Sequence, residues 1–187
     1  EHTEVKHRIL RKYLTTWTRI VSSANPELHY FDGFAGRARY EDGEPGSPLL
    51  ALDVADYNAD KFDTFHCTFN DYDDENYNIL KEEVNDKKED CEKGNKIETK
   101  EYNEKFEDVA LPILESDSYE NIPSMVFIDP FGYSGTPFDV ISQIMNIQKT
   151  GNEVFFNFMI DTIRRFLDDE DKAETITRAF GTDEWKS

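Results

Sequence analysis

The chain has 187 residues and a net charge of −19, with 37% hydrophobic and 13% aromatic residues. This length and apolar content predict one domain with a substantial core, and the net charge argues against a surface coated with phosphate-binding cations. No apolar run approaches the ~20 residues that a membrane-spanning helix needs, and the two cysteines lack the CxxC spacing of a zinc site. We therefore expect a reduced, cytoplasmic domain with no metal and no membrane partner.

The charge is unevenly distributed along the chain. Residues 1–39 hold seven Lys and Arg against four acidic residues, which leaves 14 basic and 36 acidic residues for the remainder. A nucleic acid could approach this basic N-terminal side and be repelled elsewhere. The alternative is a solvated acidic protein whose first helix happens to be basic.

Helical and extended patterns alternate along the chain. Residues 3–22 predict a helix with Val5, Ile9, Tyr13, Trp17 and Ile20 on one face, and with Leu10, Leu14 and Val21 beside that face. Strands are predicted at residues 28–31, 65–69, 96–99, 124–128 and 153–158, and helices at about 48–57, 74–90, 104–114, 136–145, 161–167 and 171–180. The alternation predicts an α/β fold with a doubly wound, mainly parallel sheet of about five strands, a Rossmann-like architecture.

The loop after the first predicted strand begins with Asp32-Gly33-Phe34-Ala35-Gly36. It lacks the GxGxxG pattern of dinucleotide sites. An acidic residue directly after the strand suits S-adenosylmethionine better, because its ammonium group binds a carboxylate and it has no pyrophosphate to hold. The glycines permit a sharp turn and a close approach of a ligand. The alternative is an ordinary strand–turn–helix corner.

Polar residues follow several of the predicted strands. Asp32, Asp71, Asn103 and Asp129 each lie where a strand ends. Ligands of doubly wound sheets bind at the carboxyl ends of the strands, and an acid after the second strand is where ribose hydroxyls are held. We therefore predict a nucleotide-type ligand site at this edge. Asp71 and the acids after it could equally favour the start of the next helix through its dipole.

The corner Asp129-Pro130-Phe131-Gly132 follows the most apolar predicted strand. The Asp129 carboxylate and the Pro130 carbonyl could accept hydrogen bonds from an exocyclic amine, and Phe131 or Tyr133 could stack on a base. Accepting both protons would direct the nitrogen lone pair at a methyl donor, for an in-line transfer driven by positioning and desolvation. The alternative is a structural turn with a buried aromatic residue.

Three stretches resemble known families: His2–Leu10, Tyr30–Leu49 and Phe127–Gly132. Together they look like the three-Cys-motif partner proteins, a methyltransferase-like family. The first two are also similar to the 23S ribosomal RNA adenine-N6 methyltransferases. The third, with the Pro-Phe pair at 137–138, is similar to the tRNA guanine-N2 dimethyltransferases. Both enzyme families methylate an exocyclic amine on RNA.

The resemblance implies a methyltransferase fold in which Lys6 or His7, Asp32, Ser47 and Asp71 lie around S-adenosylmethionine. Together with the strand-end loops, it leads us to expect a cofactor site of Lys6, His7, Asp32, Gly33, Phe34, Gly36, Ser47, Asp71 and Asn103. Asp32 would hold the amino-acid end of the donor, Asp71 the ribose and Asn103 the adenine edge. Asp129, Pro130 and Phe131 would be catalytic and hold the target amine.

The sequence departs from these patterns at two places. Ala38 stands where a glycine is usual, which predicts a stiffer loop, and Phe131-Gly132 replaces the Pro-Tyr of the adenine enzymes, which leaves the target base open. We expect a single domain over residues 1–187, with an N-terminal helix (1–24), a Rossmann-like core (25–160) and a helical tail (161–187). The last strands of the methyltransferase sheet are missing from this sequence, so we expect a truncated chain.

The sequence therefore predicts a methyltransferase that acts on an exocyclic amino group of a nucleobase in RNA or DNA. A second hypothesis is a non-catalytic, methyltransferase-like module that acts with a protein partner, which the acidic surface and the resemblance favour. A third is a small-molecule methyltransferase.

Overall fold

A computed structural model describes residues 2–132, 135–147, 151–158 and 160–186. Its strands form one sheet in which all neighbouring strands run parallel, in the order β3-β2-β1-β4-β5. The strands are β1 (Glu27–Asp32), β2 (Thr64–Asn70), β3 (Ile97–Tyr102), β4 (Ser124–Ile128) and β5 (Glu153–Phe156). The predicted doubly wound α/β fold is confirmed at this level.

Helices cover both faces of the sheet. They are α1 (His2–Val21), α2 (Ser47–Tyr57), α3 (Asp74–Asp90), α4 (Phe106–Leu114), α5 (Phe138–Asn146), α6 (Ile160–Arg164) and α7 (Ala173–Phe180), with short 3-10 turns at Gly94–Lys96, Glu170–Lys172 and Glu184–Lys186. Residues of α1, α2 and α3 share one hydrophobic core, and those of α4 and α5 share the other. No helix in the described ranges is both long and apolar enough to span a membrane.

Strands β1 and β4 lie side by side at the centre of the sheet. Side chains of a strand point to alternate faces, so Tyr30 packs into the core under α1 and α2 while Phe31 packs into the core under α4 and α5. Every residue of β4 is buried. Such burial on both faces is typical of a central parallel strand, and it places the ends of β1 and β4 in the middle of one sheet edge.

The end of β3 differs from the prediction, because its hydrogen-bonded pairing with β2 extends it beyond its apolar residues. Strand β3 runs to Tyr102 and pairs along its whole length with β2, from Phe65↔Ile97 to Asn70↔Tyr102. The hydrophobic pattern ended this strand at Thr99, because β3 lies at the sheet edge and its second half carries Lys100 and Glu101. The extension brings the end of β3 level with the end of β2.

Helix α1 buries only one of its two apolar faces. The buried apolar residues are Leu10, Leu14, Trp17 and Val21, at helical spacing over the sheet. Of the residues that the sequence placed together on the first face, only Trp17 is buried. Val5, Ile9, Tyr13 and Ile20 keep 41%, 49%, 43% and 66% of their surface exposed.

The C-terminal tail packs onto α5. Ile163, Ile176 and Ala179 form a small core of their own. Gly181 ends α7 with a φ of 70°, and an added Cβ there would overlap the ring of Phe138 at the start of α5. The tail therefore extends the α4–α5 side of the molecule.

Candidate active site

The candidate site lies where β1 and β4 end beside each other. In this strand order, successive connections run from β1 toward β3 on one side and toward β5 on the other, so the edge between β1 and β4 is the topological switch point. Asp32 is the last residue of β1, and Asp129 follows β4 directly. Asp71 and Asn103 follow β2 and β3 at the same edge.

The carboxyl group of Asp32 is fully buried. Its Oδ1 accepts the backbone N–H of Phe34 at 3.2 Å, and its Oδ2 accepts the Tyr30 hydroxyl at 3.4 Å. Ser47, the buried first residue of α2, also hydrogen-bonds to this carboxylate. The structure thus brings Ser47 to Asp32, two residues that lie 15 positions apart in the sequence.

Burial raises the pKa of Asp32 to about 7, and the nearby charge of Asp129 acts in the same direction. The hydrogen bonds from Ser47 and Phe34 oppose that rise. Because loss of hydration is the main cause, the ionised form is costly until a positive charge compensates it. Asp32 is therefore a buried carboxylate suited to an ammonium ligand.

The loop after β1 is held by backbone contacts. The N–H of Gly33 donates to the carbonyl of Phe127 at 3.0 Å, and a Cβ added at Gly33 would lie 2.5 Å from the ring of Phe106. Gly36 has a φ of 60° with open space beside it, and Ala38 has a φ of 62° although it carries a side chain. Only the glycine at 36 meets both expectations of the sequence analysis, a left-handed turn and room for an approaching ligand.

The side chain of Phe34 packs inward. Its ring lies 5.1 Å from that of Phe106, centroid to centroid, at the edge of the α4–α5 core. Its backbone N–H is the part that reaches Asp32.

Asp71, Asn70 and Asn103 tie the loops after β1, β2 and β3 together. Asp71 Oδ2 accepts the N–H of Gly36 at 2.8 Å, and its Oδ1 accepts the N–H of Asp73 at 3.0 Å. Asn103 donates to the carbonyl oxygens of Asp71 and Tyr72, both at 3.0 Å. The side chains that the sequence assigned to ribose and adenine are thus used here to shape the edge.

Buried Asn70 was assigned no role from the sequence. Its Nδ2 donates to the carbonyls of Gly33 at 3.2 Å and Glu104 at 3.0 Å, while its Oδ1 accepts the N–H of Glu104 at 3.2 Å. This residue joins the loops after β1 and β3 across the end of β2. The signal in the sequence was an amide directly after the apolar run of β2. The prediction instead assigned the ligand role to the next residue, Asp71.

Asp129 lies in a charged setting, unlike Asp32. Lys6 of α1 donates to Asp129 Oδ2 at 2.7 Å, and Asn157, just after β5, donates to Oδ1 at 2.6 Å. The Asp129 side chain keeps 16% of its surface exposed. The structure therefore places Lys6 beside the predicted target-binding residue, and it adds Asn157, which the sequence analysis missed because only folding brings β5 next to β4.

The rest of the Asp-Pro-Phe-Gly corner turns away from the sheet. Pro130 is buried and its carbonyl accepts the N–H of Gly132 at 3.0 Å, while Gly132 has a φ of 107°. The side chain of Phe131 is fully exposed. Tyr133, the other predicted stacking residue, lies outside the described residues.

A cleft of about 610 Å³ lies between α1, the loop after β1 and the start of α2, and neither Asp32 nor Asp129 belongs to its lining. His7 and Tyr40 belong to its lining and contact each other, with His7 Nε2 3.4 Å from the Tyr40 hydroxyl. Burial, followed by the charge of Lys6, lowers the pKa of His7. Burial, followed by the charges of Asp129 and Asp32, raises the pKa of Tyr40. The volume of the cleft is that of a small-molecule or nucleobase pocket.

Among the residues that the structure describes, no group of His, Cys, Asp and Glu side chains is arranged to hold a metal ion. The sheet edge offers a buried carboxylate that can bind a cation. It also offers a second carboxylate and a neighbouring carbonyl that can accept hydrogen bonds from N–H donors. No protein-family model and no curated protein matches the chain.

Proposed function

We propose that the chain is an S-adenosylmethionine-dependent methyltransferase that acts on an exocyclic amino group of a nucleobase, in RNA or DNA. The observation that carries this proposal is the pair of unlike carboxylates at the ends of neighbouring β1 and β4. Asp32 is buried and lacks a cationic partner among the described side chains, while Asp129 is paired with Lys6 and Asn157.

The residues around Asp32 fit the donor. A buried carboxylate with a pKa of about 7 favours a ligand that carries an ammonium group. Gly36 offers backbone without a side chain in open space, which allows a ligand to approach closely. When bound, S-adenosylmethionine supplies an electrophilic methyl group. The chain's own contribution here is to hold the ammonium end and to fix the loop through Asn70 and Asp71.

The residues around Asp129 fit an amine. Each carboxylate oxygen of Asp129 has a second lone pair beyond those used by Lys6 and Asn157, and the Pro130 carbonyl likewise has one beyond the bond from Gly132. Two acceptors at this corner would hold the two protons of an amino group, so that the nitrogen lone pair points across the edge toward Asp32. Orientation of this kind supplies much of the rate in transfers between two bound groups.

Asp129 would also accept the proton that the methylated amine releases. Transfer of a methyl group from a bound donor would form a nitrogen–carbon bond as the donor's sulfur–carbon bond breaks, and the amine would then have to release one proton. Asp129 lies within hydrogen-bond reach of that proton in the proposed arrangement. Lys6 pairs with the same carboxylate at 2.7 Å and compensates its charge.

Aromatic and cationic groups near Asp129 favour a nucleobase as the target. Phe131 presents a fully exposed ring at the same corner, which suits stacking on a base. Arg37 and Arg39 are paired with Glu75 and Glu83 of α3, so they are not the cations that a phosphate would meet first. Arg8, which lines the cleft, is the nearer candidate for a phosphate contact.

Methyl transfer from labelled S-adenosylmethionine tests this proposal. The acceptors are total RNA, denatured DNA and free nucleosides, and products are resolved by nucleoside chromatography. We expect label in an N-methylated base of RNA or DNA, with a rate that falls as salt rises because phosphate contacts release counterions. Equal transfer to free nucleosides without a salt effect would identify a small-molecule enzyme, and absence of label from every acceptor would contradict the proposal.

A further inference from the structure

The exposed apolar face of α1 forms a continuous stripe. Val5, Ile9, Tyr13 and Ile20 recur at helical spacing, so they lie along one line of the helix surface. From residue 5 to residue 20 this line is about 22 Å long. Four large apolar side chains with 41% to 66% of their surface exposed are more than scattered surface residues.

The α1 stripe continues onto the edge of the sheet. The Tyr13 ring packs edge-on against Phe155 of β5, with centroids 5.7 Å apart, and its hydroxyl donates to Glu153. Strand β5 ends the described sheet, and all four of its residues are only half-buried. A partly exposed surface, which we call the shoulder, therefore lies between Tyr13 of α1 and Phe155 of β5. It is on the same face of the sheet as α1, α2 and α3.

Cations border the stripe on its outer side. Arg8, Lys12 and Arg19 are exposed and fall on one row of α1, adjacent to the apolar residues. Arg19 also donates to Asn58 at 2.9 Å and lies over the Tyr57 ring, both at the end of α2. Within the described part of the chain, Arg8 and Lys12 form no ion pair. The remainder of the molecule is strongly acidic, with 36 acidic against 14 basic residues beyond position 39.

The cations beside the stripe favour some binding partners of this surface over others. A second copy packed antiparallel, α1 against α1, would bring the same cations together, and like charges across an interface are costly. A nucleic acid would use the cations and leave the apolar residues exposed to water. A helix with one apolar face and acidic borders fits both the apolar stripe and the cations, because it packs along the stripe and pairs with the row of cations.

We propose that the α1 stripe and the adjoining shoulder form a docking surface for an acidic amphipathic helix of another protein. The surface shares Arg8 with the cleft and includes neither Asp32 nor Asp129. Its occupancy therefore does not depend on whether the chain transfers methyl groups. Because Lys6 of the same helix holds Asp129, a partner seated on α1 would also lie next to the proposed target site.

The test uses a defined peptide as the probe. A synthetic helix of about 18 residues carries leucines at i, i+3, i+4 and i+7 with glutamates beside them, and a matched peptide carries lysines in place of the glutamates. Binding is measured by fluorescence anisotropy with the wild-type chain, with the Ile9→Ser/Ile20→Ser variant and with Met145→Ser. Met145 is 70% exposed on α5 and serves as the control for loss of an exposed apolar side chain.

We expect the glutamate peptide to bind the wild type and Met145→Ser equally, and the double variant at least tenfold more weakly. The lysine peptide should not bind. Unchanged circular dichroism shows that the double variant folds, and unchanged S-adenosylhomocysteine affinity separates this surface from the donor site. The proposal is overturned if no peptide binds the wild type, if both peptides bind alike, or if the double variant binds normally. It is also overturned if the substitutions instead abolish a homodimer in sedimentation or oligonucleotide binding.

Discussion

The two central carboxylates of the sheet edge lie in opposite surroundings. Asp32 is buried with neutral hydrogen-bond donors around it, and its pKa is raised to about 7. Asp129 is partly exposed and is held by the ammonium of Lys6 and the amide of Asn157. The first is poised for a cationic ligand, whereas the second already has its cation and offers remaining lone pairs to N–H donors.

The loops around the two carboxylates differ in the same way. On the Asp32 side, Asn70, Asp71 and Asn103 connect three loops through hydrogen bonds to backbone groups. On the Asp129 side, the chain leaves the sheet with an exposed Phe131 and a Gly132 at positive φ. The Asp32 side of the edge is therefore preorganised and the Asp129 side is open.

Substitution of Asp129 should have the largest effect. Asp129→Ala removes the proposed acceptor of the amine protons, and loss of one such group costs about 100-fold or more in rate. Donor affinity should change little, because Asp32 remains. Labelled methyl transfer and calorimetry with S-adenosylhomocysteine measure the two effects separately. Asp139→Ala, an exposed carboxylate in the first turn of α5, is the control. Loss of donor binding in Asp129→Ala would refute the division of roles.

Substitution of Asn70 should destabilise the donor side. Asn70→Ala leaves the carbonyl of Gly33 and the backbone groups of Glu104 without their partner, at a cost of about 2 kcal/mol in the free energy of unfolding. Asn78→Ala removes an exposed amide that donates to a helix carbonyl and should cost much less. Urea denaturation measures both. Equal stability of the two variants would show that Asn70 does not join the loops.

The pH dependence of donor binding should follow Asp32. Its pKa is raised to about 7, so the carboxyl group is mostly protonated at pH 6 and mostly ionised at pH 8. Only the ionised form attracts an ammonium group, and a ligand affinity that needs it falls about tenfold per pH unit below the pKa. S-adenosylhomocysteine should therefore bind close to tenfold more weakly at pH 6 than at pH 8.

Asp32→Asn supplies the control for this pH effect. The asparagine keeps the size of the side chain and has no charge to titrate, so weak binding that does not vary between pH 6 and pH 8 is expected. A wild-type affinity that is constant over the same range would exclude Asp32 as the group that binds the ammonium.

Phe131 should give the smallest effect. Its side chain is fully exposed, so Phe131→Ala should leave the free energy of unfolding unchanged. Loss of one stacking contact is worth about 1 kcal/mol, or fivefold in the KM for the nucleic acid. Tyr57→Ala, another exposed aromatic side chain, should change neither quantity. An unaltered KM in Phe131→Ala would place the target base elsewhere.

The sequence predicted the fold well because its signals are local. The apolar run of β4 and the alternation of strands and helices are visible without the structure, and so is the position of Asp32 at the end of β1. The burial of α1 was harder to predict, since two apolar faces compete on that helix and only the packed structure shows that Leu10 and Leu14 are covered.

The site could be predicted only in part. The four polar positions at strand ends follow from the topology, and all of them lie at the carboxyl edge. The contacts of Asn157 with Asp129, and of Ser47 with Asp32, depend on which strands and helices become neighbours. No spacing in the sequence indicates them. The use of Asp71 and Asn103 as loop ties was likewise hidden, because carboxylates and amides bind backbone groups as readily as ligands.

Calorimetric titration with S-adenosylhomocysteine at pH 8 is the most direct test of a donor site built on Asp32. The wild type, Asp32→Ala and Asp129→Ala are compared, with Asp63→Ala as an exposed control. We expect micromolar binding by the wild type, Asp129→Ala and Asp63→Ala, and loss of binding only in Asp32→Ala. No binding by the folded wild type, or equal binding by Asp32→Ala, would contradict a donor site built on Asp32.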